Sequence, residues 1–160
     1  MRRATAPPRG ARVLVAARSS AGVAGGDGQD CVFCAIVRRR APAYIIYEDE
    51  DAMAFLDIYP FTRGHALVVP KQHGARLTDL PFESQVALLR ALDRVCRRSE
   101  RLADDYNVAL NAGANAGQIV FHVHFHVIPR YGEANPFHPN RRNRLGETDA
   151  RELVGLLSAP

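Results

Sequence analysis

The sequence predicts an α+β domain, with an antiparallel sheet of about five strands, one long helix and short helices at its flanks. Two observations predict it. Five short runs rich in β-branched and aromatic residues are separated by Gly, Pro or acidic turns. One stretch, from about Pro81 to Asp104, repeats apolar residues at helical spacing, so helices are set among and after the strands.

The elements follow in order. Asp30 opens the folded part, and Cys31–Val37 reads as a turn leading into a short helix, ended by Arg38-Arg39-Arg40 and Pro42. Tyr44–Tyr47 and Ala52–Leu56 read as strands around the acidic turn Glu48–Asp51. A loop with Pro60 and Gly64 precedes a third strand, His65–Val69, which Pro70 stops. In the long helix Pro81 suits the first turn, and Val86, Leu89, Leu92, Val95 and Cys96 are expected on the inner face. Tyr106–Leu110 is a fourth strand and Thr148–Leu157 a closing amphipathic helix. The expected organisation is a disordered extension over 1–29, a domain over 30–146 and a helical tail over 147–160.

The fifth strand is the distinctive one. Ile119–Pro129 places His122, His124 and His126 at every second position, separated by Val123 and Phe125. On a strand all three would share one face, about 6.6 Å apart, and Phe121, Val123, Phe125 and Val127 would be buried on the other. A single strand histidine is ordinarily a surface or satisfied core residue. Three in register point to metal ligation, or to acid–base and nucleophilic chemistry on a charged substrate.

Charge excludes one class of partner. Residues 1–29 carry five arginines against Asp27 alone, which accounts for the whole net charge of +4. The remainder is neutral and offers no electrostatic case for nucleic acid. No apolar run approaches membrane-spanning length. An odd count of three cysteines and no secretory signal argue for a reducing, cytoplasmic setting.

Local sequence leaves several residues open. Cys31-x-x-Cys34 is a metal half-site, a redox pair or two buried thiols. Asp57 suits a ribose contact or a turn cap, and the Gly-rich segment Asn111–Gln118 a phosphate loop or a hairpin connection. Phe33, Ile36, Phe55, Leu56 and Ile58 read locally as core. His73 and His138 would be ordinary surface residues.

Together these motifs resemble the histidine triad (HIT) family of nucleotide-binding proteins. His122-Val-His124-Phe-His126-Val-Ile matches its His-φ-His-φ-His-φ-φ pattern. Phe55-Leu56-Asp57, Gly64-His65, Val69-Pro70-Lys71-Gln72-His73 and Asn111-x5-Gly117-Gln118 stand in family order across residues 30–131. The chain is most similar to the small nucleoside phosphoramidate hydrolases, especially the zinc-carrying microbial type.

The resemblance implies that His124 forms a nucleotidyl-histidine intermediate which water hydrolyses, with His126 at the phosphate and His65 completing the cluster. Neutral imidazole is a nucleophile that phosphate oxygens do not repel. It also implies Asp57 at the ribose, Asn111, Gly117 (through its amide) and Gln118 at the phosphate, and Phe33, Ile36, Phe55, Leu56 and Ile58 around the base. A structural zinc would sit on Cys31, Cys34, His73 and His122, and the expected partner is a second copy in a homodimer. Ile119 stands where the eukaryotic phosphoramidases have a phosphate-contacting Ser. Tyr131-Gly132-x-x-Asn135-Pro136-Phe137 has some likeness to dinucleoside tetraphosphate phosphorylases, which keeps that neighbouring substrate class in view.

Overall fold

The computed structural model describes residue 28, residues 30–132 and residues 143–159. The extension before Gly28, the Asn135–Phe137 segment and His138 lie outside the described residues. Five strands form one antiparallel sheet: β1 (Ile45–Glu48), β2 (Ala52–Leu56), β3 (Ala66–Pro70), β4 (Asp105–Leu110) and β5 (Phe125–Arg130), in the order β1-β2-β3-β5-β4. Three helices accompany them: α1 (Val32–Val37), α2 (Phe82–Ser99) and α3 (Glu147–Ser158). The α+β prediction stands.

Strand alternation divides the core in two. Ala52, Ala54, Leu56, Ala66, Val68, Phe125 and Val127 face α2 and α3, which bring Leu88, Ala91, Val95, Leu153 and Leu157. Met53, Phe55, Leu67 and Val69 face the other way, against Phe33 and Ile36 of α1. β2 and β3 are buried along their whole length because both faces are covered. His126 pairs with Leu67 of β3 and Ala109 of β4, so its imidazole stands on the α1 face.

The long helix keeps part of the expected inner face, since Val95 and Cys96 are buried and Leu92 packs against the core, and shifts the rest. Leu88, Ala91, Val95, Cys96 and Ser99 are the buried positions, while Leu89 is 49% exposed. Small Ala91 and Ser99 allow close approach to the sheet, and the expected face omitted both of them and Leu88. Pro81 is the N-cap rather than a first-turn residue, and the helix stops at Ser99, short of Asp104. There the chain tightens: the amides of Arg101 and Leu102 donate to the carbonyls of Arg98 and Ser99, three residues back.

The histidine strand is shorter than predicted. Its ladders to β3 and β4 both begin at Phe125, paired with Val68 and Leu110. Among the described residues Ile119–His124 therefore has no neighbouring strand, and it is tied down by the Val123 amide donating to the Gly74 carbonyl at 2.7 Å. Val123, Phe125 and Val127 are buried as expected, but Phe121 is 51% exposed. Nor does Pro129 end the strand. It lies beyond the β3 ladder, where β5 has one neighbour and a missing N–H costs nothing.

Candidate active site and metal cluster

Because the ladder begins only at Phe125, the three histidines part company. His122 turns to a cluster of sulfur and nitrogen, whereas His124 and His126 turn to a cavity.

The cluster joins Cys31, Cys34, His73 and His122, whose ligand atoms all lie within 4.8 Å of one another. His122 Nδ1 stands 3.6 Å from Cys31 Sγ, 3.5 Å from Cys34 Sγ and 3.4 Å from His73 Nδ1. Cys34 Sγ is 3.2 Å from His73 Nδ1. A tetrahedral zinc with bonds of about 2.3 Å to sulfur and 2.0–2.1 Å to nitrogen requires edges of about 3.3–3.8 Å, and these four distances lie in or close to that range. The tautomer fits as well. His122 Nε2 meets the Pro70 carbonyl at 2.9 Å and must donate to it, which leaves Nδ1 bare toward the thiols. Burial lowers the His122 pKa to about 4 and, with Cys31 beside it, raises the Cys34 thiol to about 11. The buried imidazole is thus neutral, and a dication is what would favour thiolates here.

Gly28 closes the cluster from the N-terminal side, a role local sequence does not signal. Its φ is +67°, its carbonyl accepts the Cys31 amide, and a Cβ there would lie 2.5 Å from Cys34 Sγ.

The cavity, of about 400 Å³, opens on the α1 face of the sheet. Phe33, Ile36, Phe55, Leu56 and Ile58 line its apolar part, and Asp57, Asn111, Gly117, His124 and His126 supply its polar edge. Among the described residues that line it there is no lysine or arginine. Tyr59, Phe61, Leu67 and Ala109 line it too and were not foreseen. The β-pairing that sets Leu67 and Ala109 beside His126 is the only signal that could have named the last two.

Hydrogen bonds fix the imidazoles. His124 Nδ1 donates to the His122 carbonyl at 2.7 Å, since a carbonyl can only accept, and Nε2 keeps its lone pair. Burial lowers the His124 pKa, so the neutral form prevails at pH 7. The Phe61 amide donates to His65 Nδ1 at 3.2 Å, which puts the His65 proton on Nε2. That proton goes to His126 Nδ1, 3.0 Å away, and leaves the His126 proton on Nε2. Asp57 Oδ2, at 3.5 Å from His65 Nδ1, is the more distant neighbour of that nitrogen, and Asp57 Oδ1 caps the turn by accepting the Tyr59 amide at 2.8 Å. The ring centroids of His124 and His126 stand 4.8 Å apart. A ring with a bare nitrogen and a ring with an N–H are thus neighbours in the cavity wall, which suits nucleophilic attack with a nearby proton donor.

Two expected ligand contacts are otherwise engaged. Gln118 is 4% exposed and does not line the cavity. Its Oε1 accepts the Gly113 amide at 2.7 Å, and its Nε2 donates to the carbonyls of Ala75 and Val120 at 2.7 and 3.1 Å. The Gly117 amide donates to the Ala114 carbonyl at 3.0 Å, because the loop coils into a 3₁₀ turn over Ala114–Ala116 that uses this donor. Gly117 itself, with φ of +83°, still lines the cavity, a backbone conformation glycine adopts without strain.

The chain is similar to several known proteins. Over 101 residues the chain is 52% identical to an uncharacterized HIT-like protein of Mycobacterium tuberculosis, covering 62% of this chain and 70% of the relative. It is 42% identical over 103 residues to the adenosine 5′-monophosphoramidase of Saccharomyces cerevisiae, covering 64% of each chain. The crystal structure of a zinc-bound histidine triad family protein from Mycobacterium smegmatis superposes with a TM-score of 0.68 at 45% identity, covering 83% of this chain and 96% of that one. The HIT domain model matches residues 38–133, and the chain belongs to the HIT domain family.

Proposed function

We propose that the protein hydrolyses nucleoside 5′-phosphoramidates, or related nucleotidyl conjugates, through a nucleotidyl-histidine intermediate on His124. The observation that carries this reading is the bare Nε2 of His124 at the edge of an apolar cavity, with the protonated Nε2 of His126 beside it. His124 Nε2 attacks the α-phosphorus and the bond to the amine breaks. His126 donates its proton to the departing amine or to a phosphate oxygen, and water then cleaves the phosphorus–His124 bond. One water is consumed; a nucleoside monophosphate such as AMP and an amine are released. Phe33, Ile36, Phe55, Leu56 and Ile58 would hold the base, Asp57 the ribose and Asn111 the phosphate.

Zinc on Cys31, Cys34, His73 and His122 would be structural, since four protein ligands leave no open position for water. Two further parts of the reading are a homodimer and a cytoplasmic setting. The open edge strand β4, with Val108 44% exposed, favours the first, and the three free thiols favour the second. No helix among the described residues is long and apolar enough to cross a membrane.

The described residues that line the cavity include no lysine or arginine, which favours a singly charged phosphoramidate over a dinucleoside polyphosphate, the second reading. The test is AMP release from adenosine 5′-phosphoramidate and from diadenosine tetraphosphate, with and without inorganic phosphate, by wild type and His124→Ala. Phosphoramidate turnover that falls by at least about 10³-fold in the variant is expected. Turnover of the tetraphosphate alone would transfer the protein to the second reading. AMP binding without turnover of either would leave a nucleotide-binding module.

A further inference from the structure

Helix α1 has six residues, too few to be stable alone, so tertiary contacts must hold it. Its buried side chains divide between two sites. Phe33 and Ile36 line the cavity, whereas Cys34 joins the cluster with Cys31, the residue that caps the helix. The Cys-x-x-Cys therefore brackets a cavity wall.

Phe33 sits at the junction. Its ring meets His122 edge-on at 5.9 Å, His124 at 5.1 Å and Phe55 at 5.4 Å. His122 forms a second junction, with Nδ1 toward the thiols and its carbonyl on the Nδ1 proton of His124. The ring that turns to the cluster and the carbonyl that orients the candidate nucleophile belong to one residue.

We propose that the Cys31–Cys34–His73–His122 centre and the nucleotide cavity are energetically coupled through Phe33, a positioning residue for His124, so that zinc tightens nucleotide binding and nucleotide tightens zinc binding. The proposal rests on the zinc and nucleotide reading above. Coupling between two sites is reciprocal: whatever factor one ligand adds to the other's affinity is returned. A zinc that merely added stability would leave the nucleotide affinity of the folded protein unchanged.

The experiment measures AMP affinity by titration calorimetry on the zinc-loaded and chelator-stripped full chain. It also measures zinc affinity by competition with a chromophoric chelator, with and without saturating AMP. Zinc is expected to tighten AMP about 10-fold, and AMP to tighten zinc by the same factor. Phe33→Ala retains all four ligands, and its zinc affinity is expected to change less than about 2-fold on adding AMP. Equal AMP affinity in loaded and stripped wild type, or an undiminished coupling factor in Phe33→Ala, would overturn the proposal. So would loss of the circular-dichroism signal on stripping, because the dependence would then run through global unfolding. Failure of the loaded protein to bind AMP would instead refute the nucleotide reading and carry this proposal down with it.

Discussion

Replacing Gln118 by Leu separates a loop brace from a ligand contact. The side chain is 4% exposed and ties three backbone groups together: the Gly113 amide, the Ala75 carbonyl and the Val120 carbonyl. Leu has similar bulk and satisfies none of them. Each lost bond costs about 1 kcal/mol, so the ligand-free protein should lose about 3 kcal/mol, less whatever the buried Leu returns. At roughly 3–4 °C per kcal/mol for a domain of this size, the melting temperature should fall by about 10 °C. Differential scanning calorimetry without nucleotide, checked by urea unfolding, reads this directly. AMP affinity should fall too, but only as a consequence of loosening the loop that carries Asn111 and Gly117. A ligand-free melting temperature within about 2 °C of wild type, together with a large loss of AMP affinity, would refute the brace and make Gln118 a direct contact.

Two further predictions follow from other parts of the molecule. In Gly28→Ala the new Cβ would lie 2.5 Å from Cys34 Sγ and 3.0 Å from His73 Nδ1, at a φ of +67°. The left-handed backbone alone costs about 1–2 kcal/mol, so zinc affinity measured by chelator competition should drop at least about 10-fold, and an unchanged affinity would count against the cluster as drawn. Burial alone would raise the Asp49 carboxyl, but hydrogen bonds from the Tyr47 hydroxyl and the amides of Ala52 and Asp51 outweigh it and hold its pKa below the ordinary 3.8. A depressed folded pKa stabilises above the unfolded value and stops doing so as pH falls through the folded one. Asp49→Asn should therefore lower the urea midpoint at pH 7, with the gap to wild type closing below about pH 3.8.

The sheet was legible where the strand signal is local. β2 is Ala52–Leu56 as expected, β1 and β3 are each shifted one residue toward the C-terminus, so that Pro70 belongs to β3 rather than stopping it, and β4 starts one residue earlier. The histidine run was misread for a reason that alternation cannot reveal. Period 2 makes a segment competent to be a strand, but a ladder also needs a partner, and β3 and β4 offer none before Phe125. Yet the family pattern pointed to the division that actually occurs, with His122 at the sulfur cluster and His124 and His126 at the cavity. Gln118 and the Gly117 amide were beyond local reading, since both were spent on coiling the loop. Gly28 was missed because a residue that contributes a backbone carbonyl and the absence of a side chain leaves no chemical trace in sequence.

The absence of lysine and arginine among the described residues that line the cavity bears on what happens after the chemistry. On the proposed reaction the substrate phosphate carries one negative charge, whereas the product monoester, with a second pKa near about 6, carries close to two at neutral pH. Imidazole and amide dipoles can hold the first, but none of the described lining residues is a lysine or arginine that would retain the second, and the Asp57 carboxylate repels it. The pocket would bind its product less well than its substrate, so turnover would be drawn forward by expulsion of the very phosphate that the reaction ionises.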